Sequence, residues 1–439
     1  MQTLEQLKSG QLKGIKRLQL VEGLTMFPTE IFELADTLEV LDLSNNQLDS
    51  LPADLGRLKN LKILFLSNNK FKHLPAELAG CPELEMIGFK ANQIKRVPED
   101  CLPTKTRWLI LTENQIERLP ESMGRLHRLK KLALAGNQLT SLPDSMADCQ
   151  NLELVRLSAN QLTHLPDWLF QLPKLSWLAF AGNPIGDTPA CQNSTMPQVS
   201  MSDLEMGRKI GEGASGVISC AKWINQPESL NGSDLEVAIK VFKGHVTSDG
   251  YPKDELANCL KAGEHSNLIK VVAQVAESDQ LALVMKLIPD TFYNLGLPPS
   301  LETCTRDTFN DGIQFSADEI ANVTTQMAEM LAHLHQNGVS HGDVYAHNTM
   351  IDDNASVLFG DFGAASNVHV LPVAQQKAME AIEVRAFGCL LDDLLALNES
   401  DDNLELVRLL SEVRDRSMAE AVGSRPSFNE IKEYLNQVC

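Results

Sequence analysis

Apolar positions recur with a fixed period through the N-terminal part of the chain. Segments open at Ile15, Leu38, Leu61, Leu84, Thr106, Leu129, Leu152 and Leu175, at intervals of 23 residues except for one of 22. Each reads LxxLxLxxNxLxxLP or close to it, as in LEVLDLSNNQLDSLPADLGRLKN from Leu38 and LELVRLSANQLTHLPDWLFQLPK from Leu152. The pattern predicts a strand, a turn and a short return segment in each repeat. One such unit cannot bury its apolar edge alone, so the units stack into a solenoid with a continuous core. Asn recurs at 46, 69, 92, 114, 137, 160 and 183, where a buried side-chain amide can satisfy backbone groups at the bend and run as a ladder through the stack. Gly23 takes the Asn position in the first repeat, and the last repeat departs from the pattern after Asn183, as suits terminal capping units.

This pattern resembles the leucine-rich repeat family, and the resemblance implies an α/β solenoid, or horseshoe, over residues 1–185. Function in a solenoid sits on the concave strand face, where the second and fourth positions after each opening point away from the core. On that face Ile63, Phe65, Met86, Trp108 and Ile110 form a contiguous apolar patch. Such a patch suits a protein partner or substrate, or the chain's own second domain.

Beyond the repeats, residues 186–203 (GDTPACQNSTMPQVSMSD) have no apolar period and read as a linker. Composition then separates two halves. Of the 38 basic and 58 acidic residues, residues 1–200 carry 21 and 22, whereas residues 201–439 carry 17 and 36. The acidic half repels a phosphate backbone, which argues against nucleic acid as a partner. Nine cysteines, at 81, 101, 149, 191, 220, 259, 304, 389 and 439, never form a CxxC pair, so neither a disulfide framework nor a zinc site is expected. The first twenty residues lack the apolar core of a signal peptide, and no apolar run reaches the roughly 18 residues of a membrane span. A cytoplasmic chain with no membrane span is the expectation.

From residue 208 the motifs change class. RKIGEGASGVI contains Gly211, Gly213 and Gly216 in G-x-G-x-x-G spacing, and Val-Ala-Ile-Lys follows at 237–240. A strand rather than a helix follows the glycines, which argues against a dinucleotide site. Further on stand His341-Gly342-Asp343-Val344-Tyr345-Ala346-His347-Asn348 and Asp361-Phe362-Gly363. The stretch before them, SADEIANVTTQMAEMLAHLHQNG, spaces Ile320, Val323, Met327, Met330, Leu331 and Leu334 as one helical face. Residues 204–439 resemble the protein kinase family. Joined to the repeats, they resemble the leucine-rich repeat protein kinases of bacterial type, a multidomain architecture of solenoid followed by a bilobal α+β protein-kinase-like domain.

The resemblance implies ATP and Mg2+ as cofactors and assigns roles residue by residue. The glycine loop lets backbone amides approach the phosphates, and Ile218 stands over the adenine. Lys240 holds the α and β phosphates, with Glu255 as its acidic partner and Glu264 as the weaker candidate. Met285 stands at the gatekeeper position, ahead of a hinge at Lys286, Leu287 and Ile288, and Ala238 and Met350 complete the nucleotide site. Asp343 orients the acceptor hydroxyl and takes its proton. Asn348 and Asp361 supply oxygen ligands to magnesium. EVRAFGCLLDDLLAL resembles the family's central helix, with Glu383 where the family usually has aspartate, and SRPSFNEIKEYL, including Arg425, looks like its closing helix.

Three departures stand out. Gly342 replaces the arginine that binds an activation-loop phosphate in regulated members, so such a phosphate has no obvious receptor. Tyr345 replaces the lysine two residues after the aspartate, for which His347 can partly substitute at lower pH. Only 22 residues separate Asp361 from Glu383, with no Ala-Pro-Glu, so the shelf that receives a substrate peptide is shortened. The main expectation is a kinase acting on protein hydroxyls, Ser/Thr ahead of Tyr, with substrate recruited by the repeats. A phosphotransferase of the aminoglycoside or choline type, with segment 290–316 as acceptor pocket, and a nucleotide-binding scaffold without turnover are the alternatives.

Overall fold

The structure is a computed structural model that describes residues 2–185, 196–213, 215–230, 232, 234–243, 247, 249–277, 280–398 and 403–438. It divides into two compact units, Met1–Leu175 and Ser176–Cys439.

The first unit opens with a short helix, α1 (Leu4–Lys8). Thr3 Oγ1 accepts from Gln6 N at 3.2 Å while Gln6 Oε1 accepts from Thr3 N at 3.0 Å, a reciprocal cap that satisfies two orphan donors. Seven three-residue strands follow: β1 (Arg17–Gln19), β2 (Val40–Asp42), β3 (Ile63–Phe65), β4 (Met86–Gly88), β5 (Trp108–Ile110), β6 (Lys131–Ala133) and β7 (Leu154–Arg156). They pair in parallel and in register, so Leu18, Leu41, Leu64, Ile87, Leu109, Leu132 and Val155 form one buried row. Most return segments are 3-10 turns, such as Ala76–Gly80 and Glu121–Arg125. This is the leucine-rich solenoid that the repeat pattern implies.

The asparagine ladder ties each repeat to the one before it. Asn137 Nδ2 donates to Leu134 O and to Leu111 O, both at 2.9 Å, and its Oδ1 accepts from Ile116 N at 3.0 Å. Asn69, Asn92, Asn114 and Asn160 repeat the arrangement. A buried carbonyl or amide without a partner costs about 1–3 kcal/mol; each ladder carbonyl is shared by two successive asparagines, whereas each backbone amide depends on one.

The second unit begins with β8 (Trp177–Ala179). Of the expected linker, residues 186–195 lie outside the described residues. The remainder is not free chain, because β9 (Gln198–Val199) pairs in parallel with β13 (Val271–Ala276). Together with β10 (Leu204–Glu212), β11 (Gly216–Trp223), β12 (Glu236–Phe242) and β14 (Leu281–Lys286) they make a six-stranded sheet in the order β10-β11-β12-β14-β13-β9. Helix α2 (Pro252–Ala262) accompanies it. Ala221, Val237, Ile239, Ala273, Val275, Ala282 and Val284 fill the core of this part.

The remainder is mostly helical: α3 (Ala317–Gln336), α4 (Val373–Ala396), α5 (Leu404–Ser417) and α6 (Phe428–Val438). Two small sheets sit among the helices. One is β15 (Tyr293–Asn294), β17 (Thr349–Ile351) and β18 (Val357–Phe359), and the other is β16 (Val339–Ser340) with β19 (Ser366–Asn367). Ser316 caps α3 by a reciprocal exchange with Glu319. Among the described residues no helix is long and apolar enough to cross a membrane.

Asn137→Ala leaves Ile116 N without its acceptor, while Leu111 O and Leu134 O keep the side-chain amides of Asn114 and Asn160. We expect a loss of about 1–3 kcal/mol for the one orphaned group, against a change within about 0.5 kcal/mol for exposed Gln138→Ala. Denaturant unfolding of the full chain measures both.

Candidate active site

Strand register builds a cleft between the six-stranded sheet and the helical part. Across β10, β11 and β12, Gly211 pairs with Ile218 and Ile218 with Lys240, while Ala238 and Lys240 face Met285 and Leu283 on β14. The result is a cavity of about 560 Å³. Gly211, Gly213, Gly216 and Ile218 line it from the glycine turn, which Gly213 N closes by donating to Gly216 O at 3.0 Å. Ala238, Met285, Leu287, Ile288 and Met350 supply apolar lining. Lys286 also lines it, although its ammonium turns to Asp234 at 3.7 Å.

One ammonium group organises the charges of the cleft. Lys240, almost buried, donates from Nζ to Glu255 Oε1 on α2 and to Asp361 Oδ1 at 3.0 Å. Desolvation works to lower the lysine pKa, but the two carboxylates outweigh it and hold the group above its ordinary value. The same ammonium holds the Asp361 carboxyl below its usual range against desolvation. Asp361 has φ 63° and ψ 77°, a left-handed conformation that a non-glycine residue adopts only where its surroundings impose it. Glu264 takes no part, since it pairs with Lys270 at 3.1 Å.

The loop that carries Asp343 hangs on buried carboxylates. Glu383 of α4, 1% exposed, accepts from Gly342 N at 2.6 Å and Ser340 Oγ at 3.0 Å, with His335 Nε2 at 2.6 Å. On the other side, Asp307 Oδ2 accepts from Ala346 N at 2.6 Å, and its Oδ1 lies 2.7 Å from His347 Nδ1. Burial alone would lower the His347 pKa, but the Asp307 bond and nearby carboxylates raise it above the ordinary imidazole value. Asn348 Nδ2 donates to Asp343 Oδ2 at 2.9 Å and to Asp343 O at 3.1 Å. His347 and Asn348 line the same cavity as Lys240 and Asp361. Gly342 has φ +73°, and a Cβ there would lie 2.6 Å from Ala364 O and 3.0 Å from Leu178 O. No arginine fits at that position.

Comparison with known proteins agrees with this geometry. Residues 204–402 match the family described as protein tyrosine and serine/threonine kinase, and residues 36–94, 104–162 and 127–185 match leucine rich repeats. The second unit carries a protein kinase domain. The chain therefore joins leucine-rich repeats to a kinase domain. Its relatives include a probable serine/threonine-protein kinase of Dictyostelium discoideum, 26% identical over 173 residues, which covers 39% of this chain and 11% of that protein. A second, from Saccharomyces cerevisiae, is 27% identical over 170 residues (36% and 24%). Fibroblast growth factor receptor 1 of Xenopus laevis is 23% identical over 291 residues (55% and 35%). The chain thus spans between about a tenth and a third of the length of these relatives.

A protein kinase domain uses ATP and a divalent cation, and the donor set here fits such an ion. The Asn348 amide nitrogen is engaged by Asp343, which leaves its oxygen as a donor, and Asp361 offers a carboxylate in the same cavity. Among the described residues no group of three or more His, Cys, Asp or Glu could hold a metal. Two protein oxygens suit a hard cation that keeps several waters and binds substrate phosphates.

After Gly363 the path to α4 is short. The chain makes one turn at Phe362–Ala364, the short strand β19 and another turn at Val368–Val370, and α4 already begins at Val373. The stretch identified as the central helix is the later part of α4, which extends ten residues further back. Arg425 donates to Ala381 O at 3.0 Å and Ala419 O at 2.9 Å, so it ties the closing segment to α4. Segment 290–316 contributes Asp290, Phe292 and Asn294 to the wall of the same cavity. Further along it, Arg306 bonds Asp392 and Asp393 on α4, and Asp307 reaches the loop that carries Asp343. The sequence reading did not single out Asp307, because nothing local marks it among its acidic neighbours.

In the first unit, Ile63, Phe65, Trp108 and Ile110 are partly exposed, but Met86 is 2% exposed. Met86 is a core residue and not part of the surface patch. It lies in register between Ile63 and Trp108, which flank it on both sides. Phe65 also lies close over Gly88, and the Lys131 ammonium sits 4.3 Å from the centre of the Trp108 ring.

Two outcomes test this architecture. Lys240→Met leaves Glu255 buried without a counter-charge, and removal of one partner of a buried pair costs about 3–5 kcal/mol, to be read by denaturant unfolding. Glu383 is fully buried, which raises its pKa, but His335 and Gly342 N outweigh burial and hold it below the ordinary value. The stability advantage of the wild type over Glu383→Gln is therefore full above the unfolded carboxylate value of about 4.3. It fades as the pH falls through the lower folded value, and unfolding measured across acid pH shows this.

Proposed function

We propose that this chain transfers the γ-phosphate of ATP, with Mg2+, to a hydroxyl on a protein, Ser/Thr ahead of Tyr, and that the repeats recruit the substrate. The observation that carries the reading is the meeting of Lys240, Glu255, Asp361, Asn348 and Asp343 around one cleft. Lys240 holds the phosphates as a point charge and Glu255 fixes its position. Asp343 aligns the acceptor hydroxyl and takes its proton while the oxygen bonds to the γ-phosphorus and the bond to ADP breaks. Bound at Asn348 and Asp361, Mg2+ would neutralise charge on the phosphates. Serine/threonine kinases among the relatives support the acceptor class, and a consumer of ATP suits the cytoplasm.

The short path from Gly363 to α4 favours a second reading, a small-molecule acceptor, because little chain remains to form a peptide shelf. The test is transfer from labelled ATP by the full-length chain against Asp343→Ala, with label on protein and ADP formation read together. Label on protein that Asp343→Ala abolishes supports the first reading. ADP formed only with small hydroxyl compounds supports the second, and nucleotide binding without turnover sinks both.

Recruitment predicts a separate outcome. Ile63→Asp with Ile110→Asp places charge on the apolar face and is expected to raise the KM for a protein substrate by about tenfold or more, the loss of roughly 1.4 kcal/mol or more of docking energy. The KM for ATP stays unchanged, and steady-state kinetics with each substrate varied in turn separate the two.

A further inference from the structure

Within the second unit, β8 lies against the loop that carries Asp343. The Trp177 indole stacks flat on the Tyr345 ring, with centroids 4.5 Å apart and planes inclined by 5°. Its Nε1 donates to Val344 O at 3.0 Å. Both rings are buried, and the far face of Tyr345 meets the His347 ring at 4.9 Å. Two residues along, Phe180 N donates to Ser366 Oγ at 3.0 Å, beside the segment that follows Asp361. Leu178 O, between them, is the atom that a Cβ at Gly342 would approach at 3.0 Å. Gly342 is thus the residue type that lets the strand come this close.

We propose that Trp177 is a positioning residue for phosphoryl transfer, a brace that holds Val344 and Tyr345 and through them aims the Asp343 carboxylate. The inference rests on the kinase reading for its catalytic consequence, though not for the contact itself. Contacts from other elements hold residues 342–348 at both ends and in the middle. Glu383 holds the start of the loop at Gly342 N, and Asp307 holds its end at Ala346 and His347. Between them stands Asp343, and its two following residues are those that Trp177 engages. Without the indole, Val344 O loses a buried donor and the Tyr345 ring loses its flat partner, so the middle of the loop, which keeps the bond from Thr349 Oγ1 to Tyr345 O at 2.8 Å, is held less tightly. A misplacement of about 1 Å at a reacting group can cost roughly 100-fold in rate. Most of the nucleotide cavity is walled by the glycine turn, Lys240 and the strand around Met285, and the brace engages Val344 and Tyr345 rather than Asn348, so KM for ATP changes little.

The experiment compares the full-length wild type with Trp177→Ala and Trp177→Phe. It reads kcat and KM for ATP in the transfer assay, together with amide hydrogen exchange over residues 341–348. For Trp177→Ala the expected result is a fall in kcat of about 10- to 100-fold with KM for ATP changed by less than about twofold. Exchange rises in the loop but not in α3 or α4. Trp177→Phe keeps a ring on Tyr345 and recovers most of the loss.

An unchanged kcat and unchanged loop exchange in Trp177→Ala overturns the proposal. So does exchange that rises equally throughout the unit, which marks a purely structural role. If the wild type shows no turnover at all, the kinase reading fails by itself, and loop exchange that rises locally in Trp177→Ala still supports the brace. Should Trp177→Ala not fold, Tyr345→Leu removes the same stack from the other side and is read against the same two outcomes.

Discussion

A carboxylate buried as deeply as Glu383 must be surrounded by donors, and the chain spends the backbone of its catalytic loop to supply them. His335 on α3, and Ser340 and Gly342 N at the end of β16 and just after it, converge on that one side chain. Removing a charge from water costs several kcal/mol unless hydrogen bonds repay it. The geometry of the loop is therefore bound to the geometry of α4. The position of Asp343 and the link from Asn348 to it follow from this attachment.

The same requirement, that a buried polar group find its partners, is met at every repeat of the solenoid. There the asparagine side chain does for the backbone what the backbone does for Glu383. Asn137 serves two carbonyls and one amide across two neighbouring repeats. The stack is held in register by polar satisfaction as much as by the leucines it encloses. In both units the polar interior decides which of many well-packed arrangements is adopted, while apolar burial supplies the bulk of the driving force.

The departures from the kinase pattern acquire a physical account in the structure. Gly342 is where the backbone turns left-handed and where carbonyls from two other segments come too close for any side chain. Tyr345 is absent from the lining of the cleft. It lies buried between the Trp177 and His347 rings. His347 in turn is held by Asp307, so segment 290–316 serves as a support for the catalytic loop. Each altered residue is thus compatible with its neighbours.

Periodicity determined the solenoid by itself, because a 23-residue repeat of leucines and asparagines has one economical way to bury its apolar edge. Motif order likewise pointed to the kinase domain, and Lys240, Glu255, Asn348 and Asp361, which it singled out, line one cavity. What the tertiary structure decided is how far a side chain's surroundings depart from its local pattern. Met86 has the spacing of a surface residue yet is buried between its neighbours in register. Asp307 and Trp177 act on partners 39 and 167 positions away. Such contacts leave no local signature, because a hydrogen bond or a ring stack depends on distance in space, and distance in space is settled only when remote segments pack.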